Sequence, residues 1–261
     1  ALDRARRSLG RPDRALRLEP PLVIAGDVHG DGLALEHVMA FAEENDAFPV
    51  LLGDFIDRAP DGNCVDEAVR VMDLIGEGRL LSLRGNHENF LHRSLGPYLH
   101  LRTDLLMCYE EAPELVREFG EAFLHLPLVA TTGSVLLTHA GMPPLPLDRI
   151  DGADPDVSVP LTWADPEEFN VHGLHSFDRG DVEGCLSNLG LAAVARGHTA
   201  PLNRVVVYGT VLTLQTSRVF ADQGAGGVNL VLLADEIGTV DQMEMYSLDP
   251  PHWRRATPVY V

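Results

Sequence analysis

Five short polar segments, each placing a glycine near Asp, Asn or His, follow apolar runs of this sequence. They span residues 26–30, 53–58, 84–88, 139–143 and 197–199. Their oxygen and imidazole donors include no thiolate, so they suit Mn²⁺, Fe or Zn²⁺ better than a soft metal. The predicted metal ligands are Asp27, His29, Asp54, Asn86, His139 and His198.

The number of these ligands predicts two metal ions, because six residues exceed what one catalytic ion with an open position takes. Two dications ~3.5–4 Å apart repel each other by roughly 17–19 kcal/mol at an effective dielectric constant of 20. An anionic bridge must offset that repulsion, and Asp54 is the predicted bridging carboxylate. Seven other histidines are interpreted as ordinary turn or core residues. They are His37, His92, His100, His125, His172, His175 and His252.

Alternating apolar runs have to position the first three polar segments. Predicted strands at 22–25, 49–52 and 80–83 alternate with predicted helices at 33–45 and 65–75. This β-α-β-α-β order predicts a parallel sheet covered by helices. Because open α/β sheets bind ligands at the carboxyl ends of their strands, we expect the polar segments to meet at one edge.

The later part of the chain has a different pattern. Residues 90–126 are predicted to be mostly helical, and short strands are predicted at 134–138, 192–196, 204–208, 210–216, 228–233 and 239–245. Tight turns between some of these strands favour antiparallel neighbours. Both halves are predicted to form one core of two packed sheets flanked by helices.

The charge of the 261-residue chain is strongly acidic, with a formal net charge of −19, and all 20 basic residues are arginine. Nucleic acids and anionic membranes require a positive surface, so neither is expected as a partner. The lack of lysine excludes a Schiff base, a P-loop lysine and a lysine general base. Three widely spaced cysteines and no apolar run of signal-peptide or membrane-span length lead us to expect a reducing, cytoplasmic location.

Residues 1–20 are predicted to form an N-terminal arm, with six arginines against three acidic residues. Pro20 and Pro21 mark the expected boundary into an extended segment. The arm is interpreted as a surface segment or a short docking helix. Residues 21–261 are predicted to form a single domain.

The ordered motif set resembles the signature of calcineurin-like metallophosphoesterases and, more narrowly, of phosphoprotein phosphatases of the bacterial type. The matching motifs are Asp27-x-His29-Gly30, Gly53-Asp54-x-x-Asp57-Arg58, Gly85-Asn86-His87-Glu88, His139-Ala140-Gly141 and Gly197-His198. The resemblance implies an α/β fold of four layers, α/β/β/α, with two mixed central sheets. It also implies a dinuclear metal centre. One ion would bind Asp27, His29 and Asp54, and the other Asp54, Asn86, His139 and His198.

The resemblance implies catalytic roles for further residues. His87 matches the general acid, and Asp57 matches the carboxylate that orients it. Arg58 matches a phosphate-binding arginine, and Arg179 resembles a second one. Asn86 completes the predicted phosphate-binding set.

These roles imply hydrolysis of phosphate monoesters by a metal-bridging hydroxide that attacks phosphorus in line. Two Mn²⁺ ions are expected, with Fe or Zn²⁺ as alternatives. The implied activity is that of a bacterial serine/threonine protein phosphatase, with a phosphorylated protein or a small phosphoester as substrate.

Departures from the eukaryotic protein phosphatases leave a preference for phosphotyrosine open. Alanine and proline at 59–60 replace a glycine that follows the arginine, and Phe220 replaces a tyrosine, with Arg218 nearby. One alternative function is hydrolysis of diadenosine tetraphosphate, although Asp57 and Glu88 favour the monoesterase. Another alternative is a binding module without catalysis.

Overall fold

The structure is a computed structural model that describes residues 1–10, 15–60, 62, 64–89, 100–143, 146–170, 173–223 and 227–261. The helices of these residues are α1 (Leu2–Leu9), α2 (Gly32–Glu44), α3 (Cys64–Gly76), α4 (His100–Cys108), α5 (Ala112–Phe123), α6 (Pro155–Trp163) and α7 (Arg179–Leu189). Their strands are β1 (Leu16–Arg17), β2 (Leu22–Ala25), β3 (Phe48–Leu51), β4 (Leu81–Ser82), β5 (Val129–Thr131), β6 (Val135–Thr138), β7 (Ala164–Pro166), β8 (His175–Phe177), β9 (Ala193–Arg196), β10 (Val205–Val207), β11 (Val211–Thr213), β12 (Thr216–Ser217), β13 (Gly227–Leu233), β14 (Glu244–Asp249), β15 (His252–Arg255) and β16 (Val259–Tyr260).

Most of the strands form two mixed sheets. The first sheet has the order β15-β14-β13-β2-β3-β4, with β12 paired to β13. The second has the order β1-β5-β6-β9-β11-β10-β16, and β7 and β8 form a separate small sheet. In the first sheet β2, β3 and β4 are parallel, as the β-α-β-α-β order predicts, and β13 joins β2 in the antiparallel direction.

The second sheet differs from the antiparallel arrangement that we expected for the later strands. β6, β9 and β11 run parallel, whereas β5 and β10 pair antiparallel with β6 and β11. The parallel direction of β6 and β9 follows from the long connection between them, which contains α6 and α7. A crossover of that length returns the chain to the sheet in the same direction. The expectation was therefore wrong for the pairs β6–β9 and β9–β11, and it is confirmed for β10 and β11, which the tight turn at 208–210 joins.

The two sheets pack face to face over a shared apolar core. This core includes Ile24 and Val50 from the first sheet and Leu137 and Ala195 from the second, all fully buried. Helices α1–α5 supply residues to a second cluster on the outer side of the first sheet. Helices α6 and α7 do the same for the second sheet. The predicted four-layer α/β/β/α arrangement with two mixed sheets is confirmed.

Several element boundaries differ from the prediction. The strand predicted at 210–216 is two strands, because β11 belongs to the second sheet and β12 pairs with β13 of the first. The strand predicted at 239–245 begins with a turn of 3-10 helix, and β14 starts only at Glu244. Of the helical region predicted at 90–126, α4 and α5 are present, and residues 90–99 lie outside the described part of the chain.

The N-terminal residues contact the helical layer on the first sheet. Ala5 of α1 is fully buried, and α1 packs on α3 and α5. The Arg6 guanidinium donates to the backbone oxygen of Glu118, 2.7 Å away. β1 pairs with β5 in the second sheet. No helix among the described residues has the length and apolar character needed to span a membrane.

Candidate metal centre

The candidate ligands come from both sheets and meet at one edge. Asp27, Asp54 and Asn86 follow β2, β3 and β4 of the first sheet, whereas His139 and His198 follow β6 and β9 of the second. Each of these side chains is buried, and so is His29. Carboxylates and imidazoles are rarely buried without a partner of opposite charge or a metal. The two sheets therefore assemble a polar cluster at the edge of an apolar core.

The first potential metal-binding group consists of His29, Asp54 and His87, whose ligand atoms lie within 4.8 Å of one another. His29 Nδ1 donates to the carbonyl oxygen of Ile56 at 3.1 Å, so its Nε2 carries the lone pair. That Nε2 lies 3.9 Å from Asp54 Oδ2 and 4.0 Å from Asp27 Oδ2. Burial and the neighbouring Arg58 charge hold the pKa of His29 well below its usual value. The imidazole is therefore in the neutral form that binds metals.

The second group consists of Asp54, His139 and His198. His139 Nδ1 donates to the carbonyl oxygen of Leu52 at 2.9 Å, which turns its Nε2 toward the cluster. This Nε2 lies 3.0 Å from Asn86 Oδ1 and 3.5 Å from Asp54 Oδ2. An imidazole nitrogen, an amide oxygen and a carboxylate oxygen thus converge on one place. The donor set and its geometry therefore fit a divalent ion.

Asp54 belongs to both groups and is the residue through which they join. Its Oδ1 accepts a hydrogen bond from the backbone N–H of His87 at 2.9 Å, and its Oδ2 faces the imidazoles. Burial opposes ionisation of Asp54, but the nearby histidines, His139 foremost, hold its pKa below the usual value. An ionised carboxylate between two cation sites is the bridge that two adjacent dications require.

Asp27 lies beside these groups and is held by donors from distant parts of the chain. Its Oδ1 accepts from the backbone N–H of His198 at 3.0 Å, and its Oδ2 accepts from Gln215 Nε2 at 2.9 Å. Burial raises the pKa of Asp27 to about 6. The first metal-binding group contains His87, whereas the sequence pattern predicts Asp27 as the third ligand there.

His87 also forms a tight pair with Asp57. His87 Nδ1 lies 2.6 Å from Asp57 Oδ2, and the other oxygen of Asp57 accepts from the backbone N–H of Leu101 at the start of α4. Burial lowers the pKa of His87, but the Asp54 and Asp57 carboxylates outweigh it and raise the pKa above its usual value. His87 Nε2 lies 4.0 Å from Asp54 Oδ2. A protonated His87 would thus present an N–H toward the cluster.

The two predicted phosphate-binding arginines lie in different surroundings. Arg58 Nη1 lies 3.2 Å from His29 Nε2, so its guanidinium is at the metal-binding groups. Arg179 donates to the backbone oxygen of Tyr208 at 3.2 Å, and its side chain is 60% exposed. Within the described residues, the contacts of Arg179 are with Tyr208 and Glu183. The structure brings Arg58, but not Arg179, into contact with a candidate ligand.

Backbone strain is concentrated at these residues. Eight described non-glycine residues have a positive φ, and five of them are candidate site residues. These five are His29, Asp54, Asp57, Arg58 and His198. Such conformations cost of order 1–3 kcal/mol each and persist only where the surroundings enforce them. Gly53 allows the loops after β3 and β4 to approach closely, because a Cβ at this position would lie 2.6 Å from the backbone nitrogen of Gly85.

Glu88 is a buried residue beside the cluster that the sequence did not assign to the site. Its buried carboxylate accepts backbone N–H groups of Gly85 at 2.7 Å, Asp54 at 2.8 Å and Phe55 at 3.0 Å. Burial, together with the nearby Asp54 carboxylate, raises the pKa of Glu88 to about 8. The three accepted N–H bonds tie the loop after β3 to the loop after β4. Its position directly after His87 was the available signal.

Replacement of Glu88 by glutamine is expected to weaken divalent metal binding by about 10- to 100-fold, the usual effect of losing an outer support of a metal site. A glutamine amide would direct its NH₂ toward backbone N–H donors that now meet an oxygen. Titration of the metal-free variant with Mn²⁺ in a calorimeter measures the change. Glu114→Gln, on the exposed face of α5, is the matched control. An affinity equal to that of the wild type would contradict the role of Glu88.

The chain matches the family model of calcineurin-like phosphoesterases over residues 20–202. Among curated proteins it is 28% identical over 209 residues to the serine/threonine-protein phosphatase PP1-delta of Caenorhabditis elegans, covering 70% of this chain and 65% of that protein. It is 27% identical over 163 residues to the PP2A-like serine/threonine-protein phosphatase PPG1 of Candida albicans, covering 58% of this chain and 38% of that protein. The chain thus spans less than two thirds of the length of these relatives.

Two solved structures resemble the chain along nearly its whole length. A Saccharomyces cerevisiae protein serine/threonine phosphatase, described as similar to human phosphatase PP5, superposes with a TM-score of 0.73 at 19% identity. That match covers 98% of this chain and 90% of the other. The cold-active protein-tyrosine phosphatase of a psychrophilic Shewanella gives a TM-score of 0.64 at 16% identity, covering 95% and 84%. At these identities the likeness shows a common fold.

Proposed function

Since the chain belongs to the calcineurin-like phosphoesterase family, we propose that it is a metal-dependent phosphatase that hydrolyses phosphate monoesters. The observation that carries this proposal is the pair of adjacent metal-binding groups that share Asp54. In this proposal His87, paired with Asp57, serves as the proton donor, and Asp27 takes its place as the third ligand of the first ion. A cation site, a proton donor and a guanidinium on one side of a sheet edge are the parts that phosphoryl transfer requires.

The proposed cofactor is a pair of divalent ions, most simply two Mn²⁺. The residues that would hold them are Asp27, His29, Asp54, Asn86, His139 and His198. Oxygen and imidazole donors without a thiolate support Mn²⁺ over soft metals, and the Asp54 carboxylate supports two neighbouring ions. When bound, such ions activate water and offset negative charge on the phosphoryl oxygens.

The protein's own side chains would handle the proton and the phosphate. His87 carries a proton on Nε2 and gives it to the leaving oxygen of the ester, while Asp57 holds the ring through Nδ1. Arg58 binds phosphoryl oxygens through its planar fork of N–H donors, and the Asn86 amide is proposed as a further phosphate contact. For Arg179 the same role requires its guanidinium to exchange the Tyr208 carbonyl oxygen for phosphate.

The proposed substrate is a protein phosphorylated on serine or threonine. The names of the curated relatives, both serine/threonine-protein phosphatases, support this class. The Shewanella enzyme named for phosphotyrosine makes tyrosine the next class to test. A net charge of −19 disfavours long polyanionic substrates.

A substrate panel with metal analysis on the same sample tests the proposal. The panel contains phosphoserine, phosphothreonine and phosphotyrosine peptides, p-nitrophenyl phosphate and diadenosine tetraphosphate, each with Mn²⁺. We expect hydrolysis of the peptides and p-nitrophenyl phosphate, loss of activity with a chelator, and two bound metal equivalents. Cleavage of diadenosine tetraphosphate alone would favour the dinucleoside polyphosphate hydrolase instead. No hydrolysis and no metal binding would favour a non-catalytic module.

The two arginines are expected to differ in their effect on substrate binding. Arg58→Ala removes a guanidinium at the metal-binding groups and should raise the KM for p-nitrophenyl phosphate by about 10-fold or more, the cost of a lost charged hydrogen bond. Arg179→Ala removes a side chain that is 60% exposed and should raise the KM less. Steady-state kinetics of both variants measures the difference. A larger KM increase for Arg179→Ala would reverse the assignment.

A further inference from the structure

Phe220 lies against the two site residues that face the proposed phosphate position. Its ring centroid is 5.5 Å from that of His29, in an edge-to-face arrangement. The guanidinium carbon of Arg58 lies 5.3 Å from the centre of the Phe220 ring. The face of an aromatic ring is electron-rich and attracts a cation at this distance. Phe220 thus holds Arg58 by a contact that involves no hydrogen-bonding atom of the guanidinium.

In the part of the chain that the structure describes, Arg58 has few other contacts that could fix its orientation. Its backbone has a φ of 59° and donates to His100 Nδ1 at 3.3 Å. Among the described residues, its guanidinium contacts His29 and Phe220. A metal held by His29 Nε2 would use the lone pair that Arg58 now contacts. Of these two contacts, the one with Phe220 can persist when His29 binds a metal and when Arg58 binds phosphate.

An ion pair fixes the segment that carries Phe220. Arg218, two residues earlier, places Nη2 2.7 Å from Asp31 Oδ1 and Nε 2.9 Å from Asp31 Oδ2. The backbone N–H of Arg218 also donates to Asp31 Oδ2 at 2.8 Å. Asp31 is fully buried and caps α2 by accepting from the N–H of Ala34. A buried carboxylate with this many donors ties the start of the 218–223 turn to the loop that carries His29.

We propose that Phe220 is a positioning residue for the phosphate-binding guanidinium of Arg58, and that the Asp31–Arg218 ion pair fixes Phe220 in that place. This inference rests on the proposed function, in which Arg58 binds the phosphoryl group. An arginine side chain loses much rotamer freedom when it binds a ligand. A ring that orients the guanidinium beforehand lowers this cost and strengthens binding of a tetrahedral oxyanion. The ring contact itself occupies no N–H group of the guanidinium, which can therefore still donate to phosphate.

The first test observes the contact directly in metal-free protein. Stacking on Phe220 shifts the side-chain NMR signals of Arg58 upfield, and loss of these signals in Arg58→Lys assigns them. We expect the upfield shift to disappear in Phe220→Leu, to persist in Phe220→Tyr and to diminish in Arg218→Gln. Identical Arg58 shifts in the wild type and Phe220→Leu would overturn the proposal.

The second test measures binding of inorganic phosphate to Mn²⁺-loaded protein by calorimetry. Phe220→Leu should weaken phosphate binding by about 2- to 30-fold, the range that cation–π contacts span. Metal content and melting temperature should stay as in the wild type, and Phe220→Tyr should restore the affinity. In an Arg58→Ala background, Phe220→Leu should have no further effect, because its action passes through Arg58. An equal further loss in that background would overturn the positioning role.

A control variant distinguishes loss of the Asp31–Arg218 ion pair from loss of any surface charge. The wild-type affinity distinguishes failure of this inference from failure of the proposed function. Arg218→Gln should weaken phosphate binding as Phe220→Leu does, whereas Arg254→Gln, which breaks the exposed pair with Asp249, should not. Wild-type affinity in Arg218→Gln would overturn the role of the ion pair. A wild type that binds no phosphate overturns the proposed function and this inference with it. A wild type that binds phosphate no better than Phe220→Leu overturns this inference alone.

Discussion

Replacement of Asp54 by asparagine is expected to reduce bound metal from two equivalents to one or none and to slow hydrolysis by about 10³-fold or more, because each ion supplies several kcal/mol to the reaction. Asparagine has nearly the same size and tolerates the positive φ of 50° found at this position. The backbone should therefore keep its course. The change removes the one negative charge that both metal-binding groups share. Without it, the repulsion between two dications is no longer offset.

The measurement is metal content per chain by mass spectrometry, together with the rate on p-nitrophenyl phosphate. Asp46→Asn is a matched control, since Asp46 is exposed and has a φ of 49°, almost the value at Asp54. This control should keep both metals and full activity. Two metal equivalents retained in Asp54→Asn would contradict the bridging role.

Because the proposed ligand set uses Asp27 rather than His87 for the first ion, His87→Asn is expected to leave metal binding intact. It should slow hydrolysis of alkyl phosphates by about 10²- to 10⁴-fold, the range attributed to general acid catalysis. A serine or threonine alkoxide is a poor leaving group and needs the proton that His87 would supply. p-Nitrophenolate leaves readily without a proton, so its ester should be slowed much less. The expected result is a change in the ratio of the two rates.

Parallel assays of a phosphoserine peptide and p-nitrophenyl phosphate measure that ratio. His252→Asn, on an exposed strand of the first sheet, is the control and should leave both rates unchanged. Equal slowing of both substrates by His87→Asn would count against the assignment of His87 as the acid. The tight contact with Asp57 predicts that Asp57→Asn follows the same pattern with a smaller effect.

The site residues that directly follow a predicted strand were predictable from the sequence. Asp27, Asp54 and Asn86 each follow a short apolar run, and the carboxyl ends of parallel strands meet at one edge. The spacing alone therefore places these three side chains near one another. The two-sheet core follows from the same alternation of apolar runs, because each run needs a second layer on which to bury its side chains.

Residues that act through contacts between distant segments were not predictable in this way. Gln215 meets Asp27 across 188 positions, and Arg218 meets Asp31 across 187. No local pattern encodes such pairs. The break between β11 and β12 has the same origin: the chain leaves one sheet and enters the other, and Thr216 there donates its backbone N–H to the carbonyl oxygen of Asp27. Local sequence propensity does not predict that the chain passes from one sheet to the other at this point.

The candidate ligands come from both sheets, and this arrangement has a consequence for the stability of the edge where the sheets meet. Asp54 and Asn86 follow strands of the first sheet, and His139 and His198 follow strands of the second. An ion bound by ligands from both sets would therefore join the two sheets at this edge. Opening the sandwich at that edge would first have to release the ion. By mass action, an ion at 100 times its dissociation constant adds about 2.7 kcal/mol to the free energy of unfolding. The resistance of this edge to heat and to proteases would then increase with the free metal concentration around the protein.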